Sequence, residues 1–296
     1  MALKVAILIS GFVRHHDLPS LRQHIVLPNV ARGTTVDVYA SVWSTVGIRV
    51  PVRNVDAPHD DVLEEREFWS GSITRLDDAP LNNTEFEQAL AALDASSFKV
   101  QYNNYSELAA EWDNTVNMAW HFEHGKSKHQ VLSKRGMWFG IQSAYKMIKE
   151  PYEYDFLIRT RPDLTFFQNG PVVLSRTSVG VEGRVYDLYL FDTEPRTDQS
   201  THVNRIASRI LGKERDFFET NLLVPVRSNG YIDDMVALGV PAAMHVYCNT
   251  YDSLNSILDT MFTWPEPLES ESIVVYQALT NDVNLLLYPL NFGKSG

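Results

Sequence analysis

Apolar residues in this chain fall into short unbroken runs separated by stretches with helical spacing, the alternation expected of an α/β protein built on a parallel sheet. Val5-Ala6-Ile7-Leu8-Ile9, closed by Ser10-Gly11, predicts a first buried strand ending in a turn. Leu18, Leu21 and Ile25 recur at helical spacing, and Asp17-Leu18-Pro19 supplies a capping acid and an early proline. Thr35 to Trp43 alternates and is rich in β-branched and aromatic residues, which predicts the second strand.

From Val46 to about Asn104 the pattern weakens, with Pro51, Pro58 and Pro80 and acidic pairs, and predicts loops and short helices. Within it, Asn83 to Leu93 has helical spacing and Ser97 to Tyr102 strand character. Further helices are predicted over Ser106 to Met118 and Val131 to Ile148. The second delivers the chain to Phe156-Leu157-Ile158, an interior strand that must stop by Pro162, which has no N–H for a ladder. Beyond it come short strands near Val172, Asp187 to Phe191, Leu222 to Pro225 and Val283 to Tyr288, and helices over Pro241 to Tyr247, Tyr251 to Met261 and Glu271 to Leu279. No repeat or biased linker marks a boundary, so the 296 residues are read as a single domain.

Composition changes this picture little. With 44% hydrophobic and 21% charged residues the chain is an ordinary globular sequence. Its net charge of −11 argues against nucleic acid as a partner, which needs a basic surface. Cys248 is the only cysteine, which excludes an internal disulfide and a cysteine-based zinc site. The first apolar run is too short for a signal segment or a membrane span, and the expected location is the cytoplasm.

The densest chemistry follows the interior strand, in Ile158-Arg159-Thr160-Arg161-Pro162-Asp163. Open α/β sheets bind ligands at the carboxyl ends of their strands. Guanidinium forks match phosphate oxygens, and a carboxylate can hold a cation. The plain alternative is a structural ion pair between Arg161 and Asp163. His121, Glu123, His124 and His129 lack the spacing of a helical zinc motif and are read as a solvated turn. Asp192 and Glu194 follow a strand and are candidates for a sugar site. Trp43 closes a strand and is read as core before it is read as a stacking platform.

Several of these pieces, in order, resemble a group of glycosyltransferase-like proteins of capsule, lipopolysaccharide and viral glycan synthesis. They are Ile7-Leu8-Ile9-Ser10-Gly11-Phe12-Val13-Arg14, Val36-Asp37-Val38-Tyr39, Ile158 to Asp163, Asp233-Asp234-Met235-Val236-Ala237-Leu238-Gly239 with Tyr247, and Glu271-Ser272-Ile273. The resemblance implies a GT-A-type, Rossmann-like fold, with a nucleotide-binding part over about 1–167 and an acceptor side over about 168–296. It implies a nucleotide-sugar donor, a glycan acceptor, and a divalent cation, Mn²⁺ or Mg²⁺, held by an acidic motif. Here Arg-x-Arg-Pro-Asp replaces the common Asp-x-Asp. Asp163 is therefore the one candidate metal ligand, and diphosphate neutralisation by arginines alone is the other option.

On the same resemblance Ser10, Gly11, Arg14, Arg159, Arg161 and Asp163 contact the nucleotide sugar. Asp234, Asp233 or Glu271 handles the acceptor proton. First-turn acids that complement a helix dipole are the plain alternative for these three. Two rivals remain: a non-catalytic carbohydrate- or partner-binding protein on the same fold, and a Rossmann-like methyltransferase. The second is weakened because only Gly11 stands where a glycine-rich triplet belongs.

Overall fold

A computed structural model of the chain describes residues 2–13, 16–51, 72–113, 128–166, 172–181, 184–193, 221–225, 234–260, 270–288 and 292–294. Its centre is a seven-stranded sheet made of β1 (Lys4–Gly11), β2 (Thr35–Trp43), β5 (Ser97–Asn103), β6 (Phe156–Thr160), β10 (Asn221–Pro225), β11 (Ala237–Gly239) and β12 (Asn284–Tyr288). The spatial order is β12-β10-β11-β6-β1-β2-β5. All strands run one way except β11, which is antiparallel to both β6 and β10. The protein is thus α/β with a mostly parallel central sheet, as the alternation of runs predicts. Short antiparallel pairs flank it: β3 (Thr45–Pro51) with β4 (Ser72–Pro80), β8 (Val172–Val181) with β9 (Arg184–Thr193), and β7 (Leu164–Phe166) with β13 (Phe292–Lys294).

The antiparallel β3–β4 pair corrects the expectation of loops and short helices after Val46. Its pairing with an irregular register between Thr45 and Gly47 breaks the strict alternation by which a strand is recognised. Asp192 lies within β9, one residue beyond the expected strand end.

Helices cover both faces of the sheet. On one face lie α1 (Leu18–Leu21), a π-helical turn (Arg22–Val26), α2 (Leu27–Val30) and α3 (Asn83–Ala91). They bury Leu18, Leu21, Ile25, Phe86 and Leu90 against Val5, Ile7, Ile9, Val36, Val38, Phe156 and Ile158. The π turn sits just ahead of Pro28, whose missing N–H leaves the preceding turn without its ordinary donor, and the N–H of Leu27 reaches five residues back to Arg22. Asn29, buried just beyond it, donates to the Ile25 carbonyl at 2.6 Å and accepts from the Leu174 N–H at 2.8 Å, fastening β8 to this layer.

The other face carries α5 (Lys128–Lys146), α6 (Pro241–Cys248), α7 (Thr250–Thr260) and α8 (Ser270–Thr280), with α4 (Tyr105–Asp113) beside α5. Here Ala6, Leu8, Leu157 and Ala237 meet Trp138, Ile141, Ala243, Met244, Tyr247 and Ile273. Among the described residues no helix is long and apolar enough to cross a membrane.

Two polar or aromatic clusters brace the ends of this sheet. At the amino ends, buried Asp37 accepts from the Tyr154 hydroxyl at 2.8 Å and from Ser97 Oγ at 2.6 Å, while the Tyr39 hydroxyl lies 2.8 Å from that of Tyr154. Burial, then the bonds to Tyr39 and Asp37, push the Tyr154 phenol far above its ordinary range, so it stays a donor. At the carboxyl end of β2, Trp43 is buried among Phe12, Tyr105 and Phe139, with Trp112 and Tyr251 packed on Phe139; the core expectation for Trp43 holds.

Gly136 of α5 makes this aromatic packing possible. A Cβ there would stand 2.9 Å from the Tyr105 ring and 3.3 Å from Trp43 Cζ2. Replacing Gly136 with alanine gains helix propensity but overpacks two rigid rings, and the clash dominates. Gly136→Ala is expected to lower the unfolding free energy by about 1–3 kcal/mol, read by urea denaturation; a stabilised variant would contradict the packing described.

Candidate functional site

The strand order reverses between β1 and β6. From β1 the chain crosses to β2 and then β5 on one side, and returns later to β6 on the other. Crevices at the carboxyl ends of such strands are where open α/β sheets bind ligands. The parallel register Leu8↔Arg159 and Ile9↔Thr160 brings Ser10 and Gly11 level with the start of the Arg161-Pro162-Asp163 turn. Because β11 runs the other way, with Ala237 opposite Arg159, the residues that precede it arrive at the same end. Asp234 is thereby delivered beside the two strand ends, and the antiparallel sense of β11 is what makes sequence-distant Asp234 a neighbour.

Each side chain has a distinct place. Gly11 has φ of +128°, a conformation that only glycine adopts without strain. A Cβ there would lie 3.9 Å from Pro162 Cδ, so the two turns are in contact. Ser10 is buried, and among the described residues its Oγ has no hydrogen-bond partner. The backbone of α5 crosses above it at Gly140, whose added Cβ would stand 3.5 Å from Ser10 Cβ and 4.0 Å from the Gly11 nitrogen.

Arg161 and Asp163 form a two-point ion pair, Nε to Oδ1 at 2.8 Å and Nη2 to Oδ2 at 2.6 Å. The carboxylate is almost fully enclosed, at 4% side-chain exposure, while the guanidinium keeps 19%. Arg159 is 1% exposed and points to the α5–α6 face with Leu157, two residues earlier. Its Nη1 donates to the Asp234 carbonyl, and its Nε has no partner among the described residues. Arg159 therefore sits buried beneath the strand end and secures the segment leading into β11. Nearby Cys248 is wholly buried, and burial pushes its thiol far above the ordinary range although the Arg159 charge opposes the shift, which keeps it a core side chain.

The turn between β6 and β7 is anchored from the first helix. The Asp17 N–H donates to the Pro162 carbonyl at 3.0 Å. One Asp17 oxygen caps α1 through the Ser20 N–H at 3.1 Å, and the other accepts from Thr165 Oγ1 at 2.5 Å. Ser20 Oγ in turn accepts from the Phe166 N–H at 2.6 Å. Asp17-Leu18-Pro19 signals a helix start, and this capping role is borne out. The second partner, Thr165, lies 148 positions away and leaves no local signature.

Of the residues expected from sequence, Ser10, Gly11, Arg159, Arg161, Asp163 and Asp234 converge on this end of the sheet. Glu271 lies in the first turn of α8, with the α6–α8 layer, ahead of β12 at the sheet edge three strands from β6. Arg14, Asp233 and Glu194 fall outside the described residues, as do His121, Glu123 and His124.

Asp163, the residue expected to hold a divalent cation, is taken up by Arg161. Both Asp163 oxygens are engaged by Arg161, and a hard cation asks for about six oxygen ligands. Among the described residues no group of three or more His, Cys, Asp or Glu side chains is placed to hold a metal ion.

No family model and no curated protein matches this chain. Among solved structures it is similar to mouse xyloside xylosyltransferase 1 in its apo form, at 8% identity and a TM-score of 0.36, over 97% of this chain and 84% of that one. Likeness at that level says nothing of substrate or reaction, and the site stands on its own geometry.

Asp17 is the element of this geometry most easily tested. Asp17→Ala removes the helix cap and the Thr165 anchor together and is expected to cost about 1–2 kcal/mol of stability in chemical denaturation. Asp17→Asn, which keeps a capping oxygen, is expected to cost less; equal losses would refute the cap.

Proposed function

We propose that this protein is a glycosyltransferase that moves a sugar from a nucleotide donor to a glycan acceptor. The observation that carries it is the meeting of Ser10, Gly11, Arg161 and Asp234 at the point where strand order reverses. Sugar transfer needs three things from a site: stabilisation of the departing diphosphate, close approach to the nucleotide, and a base for the acceptor hydroxyl. Arg161 offers a fixed guanidinium for the diphosphate. Gly11, with no side chain, lets the nucleotide approach the backbone, and Arg14 belongs with it on the sequence resemblance. Asp234, on a segment held by Arg159, is the base we assign, with Asp233 and Glu271 as the other acids of the acceptor side.

The ion pair between Arg161 and Asp163 favours one other reading, a protein that binds carbohydrate or a partner without turnover, since it leaves a single engaged carboxylate where two acids are common. Transfer assays separate the two. Thermal unfolding with nucleoside diphosphates and nucleotide sugars is expected to show stabilisation, because a ligand that binds only the native state raises its stability. Arg161→Ala should weaken that binding by roughly ten- to a hundredfold. Asp234→Asn should leave binding in place and lower transfer about 10²–10⁴-fold. Binding without hydrolysis or transfer across donors and acceptors would favour the non-catalytic reading.

A further inference from the structure

We infer that Asp163 is a positioning residue for Arg161, and that this site takes the diphosphate of its ligand through the held guanidinium without a divalent cation. The inference rests on the diphosphate-binding reading of the site and departs from the cation that the sequence resemblance implies.

The geometry supplies the reason. A carboxylate that serves a cation must present its oxygens to it, yet the Asp163 oxygens receive Nε and Nη2 of Arg161 at 2.8 and 2.6 Å in a fork-to-fork arrangement. Asp163 is enclosed, so the cation would also have to displace a guanidinium from a desolvated partner. The guanidinium is the more exposed member of the pair, and its plane is set by the fork. Pro162 stiffens the turn between them, and its carbonyl is tied to the Asp17 N–H at 3.0 Å. A planar donor held this way is organised for phosphate oxygens before ligand arrives. Buried Arg159, whose only described bond is to the Asp234 carbonyl, adds a second positive charge beneath the same strand end.

Binding of inorganic pyrophosphate and of a panel of nucleoside diphosphates, followed by thermal shift and titration calorimetry in EDTA and in Mn²⁺ or Mg²⁺, tests this. Wild-type affinity is expected to be the same in EDTA and in either cation. Asp163→Asn and Arg161→Lys are each expected to weaken binding about tenfold in EDTA, and the double variant to be no weaker than the weaker single one. The sign is diagnostic: removing a negative charge would by Coulomb attraction alone tighten an anion, so a loss at Asp163→Asn reports orientation of Arg161.

Wild-type binding that appears only with Mn²⁺ or Mg²⁺ would overturn the inference and leave the nucleotide reading standing. Equal or tighter binding by a folded Asp163→Asn in EDTA would overturn the positioning role. Absence of binding under every condition would sink the diphosphate reading and this inference with it. The wild-type comparison needs no variant, and circular dichroism with unliganded melting checks that each variant folds.

Discussion

The parallel pairing of β1 with β6 is the contact on which the rest depends. These strands are distant in sequence, separated by two β-strand crossovers and the whole of α5, and every residue of the candidate site except Asp234 sits at the carboxyl end of one or the other. Parallel strands cannot be joined by a tight turn, so each crossover must carry a helix onto a face of the sheet. The chain leaves β1 over one face and comes back to β6 over the other, which makes this pair the point where the strand order reverses.

Which side chains gather at that end follows from the pleat. Alternate residues of β6 point to opposite faces, so Arg159 is committed to the α5–α6 side and Thr160 to the α1–α3 side, and only the turn beyond the strand faces outward. Two nearby arginines therefore do different work. One is a buried brace for the segment that brings Asp234, the other a partly exposed fork held by an acid two positions on. A buried guanidinium bonded to a carbonyl is costly unless its position is needed, and here it ties β6 to the arrival of β11.

Much of this was legible in the sequence. The strands β1, β2, β5 and β6 and the helices α5 to α8 announce themselves because their apolar periods are long or their runs unbroken, and those features respond to burial alone. The Arg161–Asp163 pair is readable from spacing, because it joins residues two apart across a proline and is therefore local. What was not legible depends on contacts between distant parts. β11 is three residues long and antiparallel, too short to carry a period, and it exists because β6 and β10 offer it ladders on both sides. Asp17 reads as a cap from its neighbours, but its bond to Thr165 is set by the fold. The direction of Arg159 likewise required the register of β6, since a shift of one residue reverses every side chain.

That last point gives the buried network at the opposite end of the sheet a consequence for assembly. Tyr154 and Asp155 enter β6, and they are fastened to β2 and β1 respectively: the Tyr154 hydroxyl to Asp37, the Asp155 carboxylate to the Lys4 N–H at 2.8 Å, and the Asp155 N–H to the Lys4 carbonyl at 2.8 Å. A slipped β6 would break all three bonds and leave the buried Asp37 carboxyl with fewer donors, besides driving the Arg159 guanidinium into the layer of Leu18, Leu21 and Ile25. The polar clasp at the amino ends thus proofreads the alignment that the carboxyl ends use, which is why a network with no access to ligand can still decide whether the site forms.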